Sequence, residues 1–443
     1  MKRFFLALLS LGLVTALSSP ALALDVKFSG SFYAAGMYLD KTSLAKGTAG
    51  DNISTAFYYQ RLRLQTDFVV SPGLSIITRF DALERIWGAL RSAPSTIPDS
   101  VSPSAGSRAE NENIACDWIY LSYASPLGLF NIGYQNDGAW GTIFGDTSKP
   151  NPKISWILTA GQWNYLLQII KVAENNSTAV NPSTATDLDY DKIVAAFWYN
   201  WKGGEAGVLG YMARNAANRG GAAPPASMQK FYGLLPYIIF QIGPVKVQAE
   251  LDYYWGKYPA NESGIGDIVL DNLAGFFDTV VDFGNFYMAA TLAYVAGDNP
   301  DTTDKMEGGL ATGGRDWDPC LLLWNQDRTY WAGAIAGNSA SANSGPMSNA
   351  WFYQVRGGVR PIAALDIMAS ISYATADQKP TLAWLNKTYG WEIDVTGTYK
   401  ITNNLSYMLG VGYLFTGDYF KGTSAANDVR DDYLVISKLT LTF

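Results

Sequence analysis

The chain of 443 residues carries no histidine, two cysteines and a formal net charge of −7. The missing imidazoles exclude histidine-dependent triads and histidine metal sites, and the acidic balance argues against nucleic-acid binding. Charged residues make up 16% of the chain, below the roughly 25% usual for soluble domains, while aromatics reach 14% and glycines number 43.

The opening MKRFFLALLSLGLVTALSSPALA has a basic start at Lys2 and Arg3 and an apolar stretch from Phe4 to Leu17. It ends in an Ala21-Leu22-Ala23 cleavage pattern, the layout of an export signal. Residues 1–23 are therefore expected to be removed, leaving 24–443 as one domain. An uncleaved anchor is the other reading, but the run is short of the ~20 residues a spanning helix needs. Further on, even LLPYIIFQIG (234–243) is interrupted within about ten residues, so no membrane helix is expected. An exported chain rich in Tyr, Trp and Gly, poor in charge and without membrane helices fits a transmembrane β-barrel.

In chain order, strand-like runs fall at 26–40, 56–70, 74–87, 114–125, 128–136, 153–160, 163–172, 190–201 and 206–213. They continue at 230–241, 245–257, 272–282, 286–297, 348–360, 365–374, 391–400, 405–415 and 432–443. Side chains on a strand alternate between faces. In WEIDVTGTYK, Trp391, Ile393, Val395 and Tyr399 oppose Glu392, Asp394, Thr396, Thr398 and Lys400. The connections sort strictly into short turns (SPG, SPLG, AG, KGGE, IGP, GN, PIAA, ITNN) and long polar loops, among them 88–113, 137–152 and 298–347. That sorting is the plan of an outer-membrane barrel, with periplasmic turns and outer loops. It sets an even strand count of 16 to 18, the runs 153–160 and 206–213 being the weakest. At that size a barrel is wide enough for an aqueous channel. The 50-residue segment 298–347 holds Trp317, Trp324 and Trp331 and is expected to pack at least in part.

Several constellations bear on function. In FYYQRLRLQTDFVV, Leu62, Leu64, Phe68 and Val70 share one face, and Arg61, Arg63, Gln65 and Asp67 the other. After the SPG turn, Arg79 and Asp81 point the same way as Arg61 and Arg63, and Arg356 and Arg360 do so in NAWFYQVRGGVRP. Charged rings of this kind set ion selectivity in pores; the plain alternative is a wetted lumen with its arginines paired to acids. Glu250 with Asp252, and Glu392 with Asp394, sit two apart on regular strands. Paired carboxylates at about 7 Å resemble a glycosidase pair in spacing, but lumen-facing charge is the simpler reading. The acidic loop GDNPDTTDKMEG (297–308) lacks the spacing of a calcium loop and reads as solvated, so no metal site is expected. Cys116 and Cys320 are both expected at the outer rim, as a disulfide or as free or intermolecular thiols. No ATP-binding or redox motif occurs, and no cofactor is expected.

Three stretches resemble outer-membrane porins of sulfate-reducing Gram-negative bacteria: AYVAGDNPDTTDKMEGG (293–309), DWDPCLLLWNQ (316–326) and GWEIDVTGTYKITNNLSYMLGVGYLFTGDYF (390–420). The resemblance implies a β-barrel channel rather than an enzyme, and a homotrimer. The terminal strand LVISKLTLTF places Val435, Leu439, Leu441 and Phe443 toward lipid. Its aromatic end resembles the signature by which barrel-assembly machinery recognises its clients. The expected function is passive diffusion of small hydrophilic solutes and ions across an outer membrane with its lipopolysaccharide. A substrate-specific uptake channel and a non-conducting adhesive barrel are the alternatives.

Overall fold

In the computed structural model, residues 25–47, 53–88, 114–175, 188–217, 228–258, 266–309 and 313–443 are described. The expected signal at 1–23, and most of the loop at 88–113, lie outside them. The wall is an antiparallel, closed, 18-stranded barrel. The strands are β1 Asp25–Leu39, β2 Thr55–Ser71, β3 Leu74–Ile86, β4 Ile114–Ser125, β5 Gly128–Asp137 and β6 Lys149–Ala160. Next come β7 Trp163–Ala173, β8 Tyr190–Trp201, β9 Gly204–Asn215, β10 Gln229–Ile242, β11 Val245–Tyr258 and β12 Ile268–Asp282. The last six are β13 Phe286–Val295, β14 Ala350–Ile362, β15 Leu365–Thr375, β16 Thr388–Lys400, β17 Leu405–Thr416 and β18 Asp432–Thr442.

Each strand pairs with its neighbours in sequence, and β18 closes on β1 from Ser31–Thr442 to Leu39–Leu434. Closure extends one residue further, because Phe443 and Gly30 exchange two backbone hydrogen bonds of 2.8 and 3.1 Å. No open edge is left, as lipid requires. The two weakest sequence runs are full strands, so 18 replaces the 16-strand option. Pro150 and Pro152 mask the start of β6, and Gly204, Gly207 and Gly210 thin out the pattern of β9.

Burial runs opposite to that of a water-soluble protein. Trp391, Ile393 and Val395 are 51%, 39% and 47% exposed, while Glu392 and Asp394 between them are 0% and 2% exposed. Large apolar side chains face outward along most strands, and Trp255 and Tyr413 join them. Such a surface is stable only in contact with lipid.

The interior is filled unevenly. One buried apolar cluster joins inward residues of β1 and of β12 to β18 to the segment 317–347, whose Trp317 and Trp324 are buried. This segment carries the short helix α1, Gln326–Ala332, capped by the Asn325 side chain accepting from Arg328 N–H. The long connection therefore turns back inside the barrel.

Candidate functional site

One side of the lumen is a charged wall on β2, β3 and β4. Arg63 makes a two-point contact with Asp81, at 2.7 and 2.6 Å, and also reaches Asp117 at 3.2 Å. Arg79 donates to Asp117 at 3.0 Å, and its guanidinium lies 3.4 Å from the centre of the Trp118 ring. Arg61 pairs with Glu84 at 3.2 Å and lies over Tyr33. The sequence places Arg61, Arg63, Arg79 and Asp81 on this face; it gives no hint of Asp117 and Glu84. Both sit at register breaks. One falls between Arg79 and Phe80 against β4, where Asp117 has no direct partner and faces inward beside Trp118. The other falls between Gln60 and Leu62 against β3, where Leu83 takes φ 49° and strict alternation stops. A β-bulge changes which side chains share a face. The three arginines therefore meet three acids.

A first loop, 138–148, descends from the β5–β6 end into the barrel. Its Thr142 N–H donates to Glu250 at 2.6 Å, and the Trp140 indole donates to the Leu235 carbonyl at 2.8 Å. Gly141 makes this approach feasible: at φ +70°, a Cβ there would sit 2.9 Å from both Glu250 and the Tyr237 ring. Phe144 stacks on Phe276 at 5.2 Å. Beside this loop is a cavity of about 310 Å³ whose lining includes Lys149, Lys153, Lys192, Asp137, Trp140 and Glu250. Asp137 pairs with Lys192 at 2.7 Å and Lys153 at 3.7 Å.

A second loop, 313–349, enters from the β13–β14 end. Glu392 accepts from Leu322 N–H at 2.6 Å and from Leu323 N–H at 2.8 Å. Asp394 lies near Leu321 N–H at 3.4 Å. On α1, Asp327 reaches across to Tyr59 and Lys438, each at 3.3 Å. The two loops touch. Ser148 N–H donates to Asp316 at 2.7 Å, Asp316 N–H donates to the Asp146 carbonyl at 3.0 Å, and Phe144 packs edge-on against Trp317 at 5.3 Å. Burial, with Asp316 adding to it, pushes the Asp146 carboxyl up to about 7. Burial pushes Asp318 up to about 6, with Asp327 adding to it. Burial also draws Arg328 down to about 10.

The remaining sequence candidates are dispersed. Arg356 is paired with Asp278 at 2.7 Å, on the far side from the arginine wall. Arg360 lies at the short-turn rim with Asp282 and Asp366, at 3.0 and 3.1 Å. Glu250 and Glu392 hold the two loops, with Asp252 and Asp394 buried beside them. In the acidic segment 297–308, Asp298 and Glu307 bond each other's backbone region, through Glu307 N–H to Asp298 and Asn299 N–H to Glu307.

The disulfide option and the rim position of Cys320 are corrected, and the free-thiol alternative is what the structure has. Both thiols are free, Cys116 exposed and Cys320 buried. Cys116 lies opposite Phe80, next to the inward Asp117, and so faces outward. Cys320 has travelled with its loop into the lumen, where its thiol lies 3.4 Å from the Ser372 hydroxyl. The barrel wall separates the two, so no bridge forms. The sequence misplaced Cys320 because it took the long loop to stay at the rim.

No family model and no curated protein matches the chain. Solved structures do match. OprE (OccK8) of Pseudomonas aeruginosa is 13% identical with a TM-score of 0.52, over 95% of this chain and 98% of that one. OpdK of the same organism, solved with vanillate, is 12% identical with a TM-score of 0.51, over 94% and 99%. A BenF-like porin from Pseudomonas fluorescens Pf-5 is 11% identical with a TM-score of 0.50, over 94% and 99%. These three come from Pseudomonas, and nothing in them bears on sulfate reducers or on a trimer. At this identity the likeness is one of fold: the eighteen-stranded porin barrel.

Proposed function

We propose that the chain is an outer-membrane channel through which small hydrophilic solutes, organic carboxylates above all, diffuse passively and selectively. The observation that carries this reading is the meeting of two infolded loops inside the barrel. They occupy the side next to β10–β18 and leave the passage against the acid-paired arginines of β2 and β3 and the lysines of β6 and β8. A low-dielectric wall with fixed charges concentrates ions of opposite sign. An unobstructed barrel of this size suits general diffusion, whereas an off-centre, charged passage suits discrimination. That OpdK was solved with vanillate, an aromatic carboxylate, supports the same choice of solute.

The test is purified protein in a planar bilayer under a salt gradient. Small stepwise conductance, an anion-leaning reversal potential and partial block by aromatic carboxylates are expected. A large, unselective conductance defeats the selective reading, and a folded barrel that never conducts defeats the channel itself. Homotrimeric association, contact with lipopolysaccharide and recognition of Phe443 by the assembly machinery belong to the same proposal. Deleting Phe443 removes the Gly30 pairing that completes closure. It should lower the yield of folded barrel more than it alters the conductance of what folds.

A further inference from the structure

We infer that Cys320, Glu392 and Asp394 form a divalent-cation site, suited to a borderline-soft ion such as Zn²⁺, that staples the second loop to the wall. The thiol sulfur and one oxygen from each carboxylate lie within 4.8 Å of one another, and all three residues are buried. A zinc ion with Zn–S of about 2.3 Å and Zn–O of about 2.0–2.2 Å holds its donors roughly 3.5 Å apart, so closing the set needs shifts of little more than about 1 Å. One sulfur with two oxygens is a donor set for Zn²⁺ rather than for Ca²⁺ or Mg²⁺, which take oxygen alone.

The second observation is independent of that convergence. Asp394 is only 2% exposed, yet its Oδ1 has no hydrogen-bond partner. Among the described residues, neither Glu392 nor Asp394 has an ion pair, and the hydrogen bond of the nearby Arg328 guanidinium goes to the Gly333 carbonyl instead. Buried carboxylates are paired, protonated or bound to metal. The adjoining cavity of about 300 Å³, lined also by Asp318 and Asp327, gives the ion a route and room for water. Binding replaces the thiol proton, which leaves for bulk water, so affinity should rise with pH. Glu250 and Asp252 repeat the spacing beneath the first loop but have no cysteine in such a cluster, so the metal staple is specific to the second loop.

The experiment uses Co²⁺ as a spectroscopic probe on folded Cys116→Ser protein in detergent, which leaves Cys320 as the only thiol. A thiolate-to-Co²⁺ charge-transfer band that saturates at one ion per chain and is displaced by Zn²⁺ is expected. Adding Cys320→Ser should abolish the band while the barrel keeps its folded, heat-modifiable migration in gels. Asp394→Asn should weaken Co²⁺ binding by at least about tenfold. No band in the Cys116→Ser protein, or a band that persists without Cys320, overturns the proposal. If Cys320→Ser does not fold, Asp394→Asn decides, and unchanged Co²⁺ affinity there overturns it. A failed channel reading would leave this result untouched, since the readout does not involve conductance.

Discussion

The two sides of the lumen obey different rules. On β2, β3 and β4, inward positions are mostly charged or polar, and the arginines find acids across one or two strands. On β13, the inward series is Ala289, Thr291, Ala293 and Val295, all buried, opposite outward Met288 and Leu292. Thr291 apart, both faces of that strand are apolar, although one of them points into the pore. The reason is the second loop: Leu322, Leu323 and Trp324 need an apolar bed, and the buried Phe352, Ala374, Leu414 and Leu434 belong to the same cluster. A barrel strand that is apolar on both faces therefore marks where something other than water fills the lumen.

That division can be broken from either side, and the largest effect should come from Glu392. It accepts two N–H groups of the second loop. Removing the acceptor orphans two buried donors, at about 1–3 kcal/mol each. Glu392→Ala should therefore release the loop from its bed and raise unitary conductance severalfold in planar bilayers. Unchanged conductance would mean that the apolar bed holds the loop alone. Glu250→Ala removes the acceptor for one N–H of the first loop and should raise conductance less.

The charged side is broken by replacing Arg61, Arg63 and Arg79 with Ala together, which leaves Asp81, Glu84 and Asp117 uncompensated. The reversal potential should shift toward cation preference, by more than any single substitution achieves. No shift would place the passage elsewhere. Asp327→Asn acts in the opposite direction and more weakly, because it frees Lys438 from a single contact of 3.3 Å.

The strands, their alternation and the sorting of short and long connections were legible in the sequence because each is a local property. The inward arginines were legible for the same reason. What stayed hidden depended on contacts far apart in the chain. Two of the three acids that neutralise the arginine wall, Glu84 and Asp117, sit at bulges, where period-two counting loses its phase. Cys320 was misplaced because nothing local shows that a long loop folds inward. The clues were present in another form. On β17, Gly410 and Gly412 face the lumen, and a Cβ on Gly412 would come 2.6 Å from Asp394 and 3.0 Å from Leu321. Lying opposite the outward apolar face of β17, these glycines leave the space the loop occupies. Trp317, Trp324 and Trp331 were the loop's own sign that it packs.

The smallest expected effect lies where the two loops meet. Asp146 has its carboxyl raised to about 7, first by burial and then by Asp316, against the lowering effect of the Trp140 N–H. Glu250 and Asp252 on β11 are buried beneath the same loop, and Lys149, Lys153 and Lys192 line the adjoining cavity. The folded-state value exceeds that of an unfolded carboxyl, so its stabilising contribution is complete in acid below the unfolded value and is lost as pH rises through about 7. The contact between the loops should therefore loosen from about pH 4 to about pH 7. Hydrogen exchange at Asp316 and Thr147, corrected for intrinsic rates, should be more protected at the lower pH, because those N–H groups bond across and within the contact. Asp146→Asn keeps a hydrogen-bond acceptor for Trp140 N–H but cannot ionise, so it should hold the acid-state protection across the range. If the same pH dependence persists in that variant, the titrating group lies elsewhere in the junction, and the first loop is held by its Glu250 contact and its aromatic packing alone.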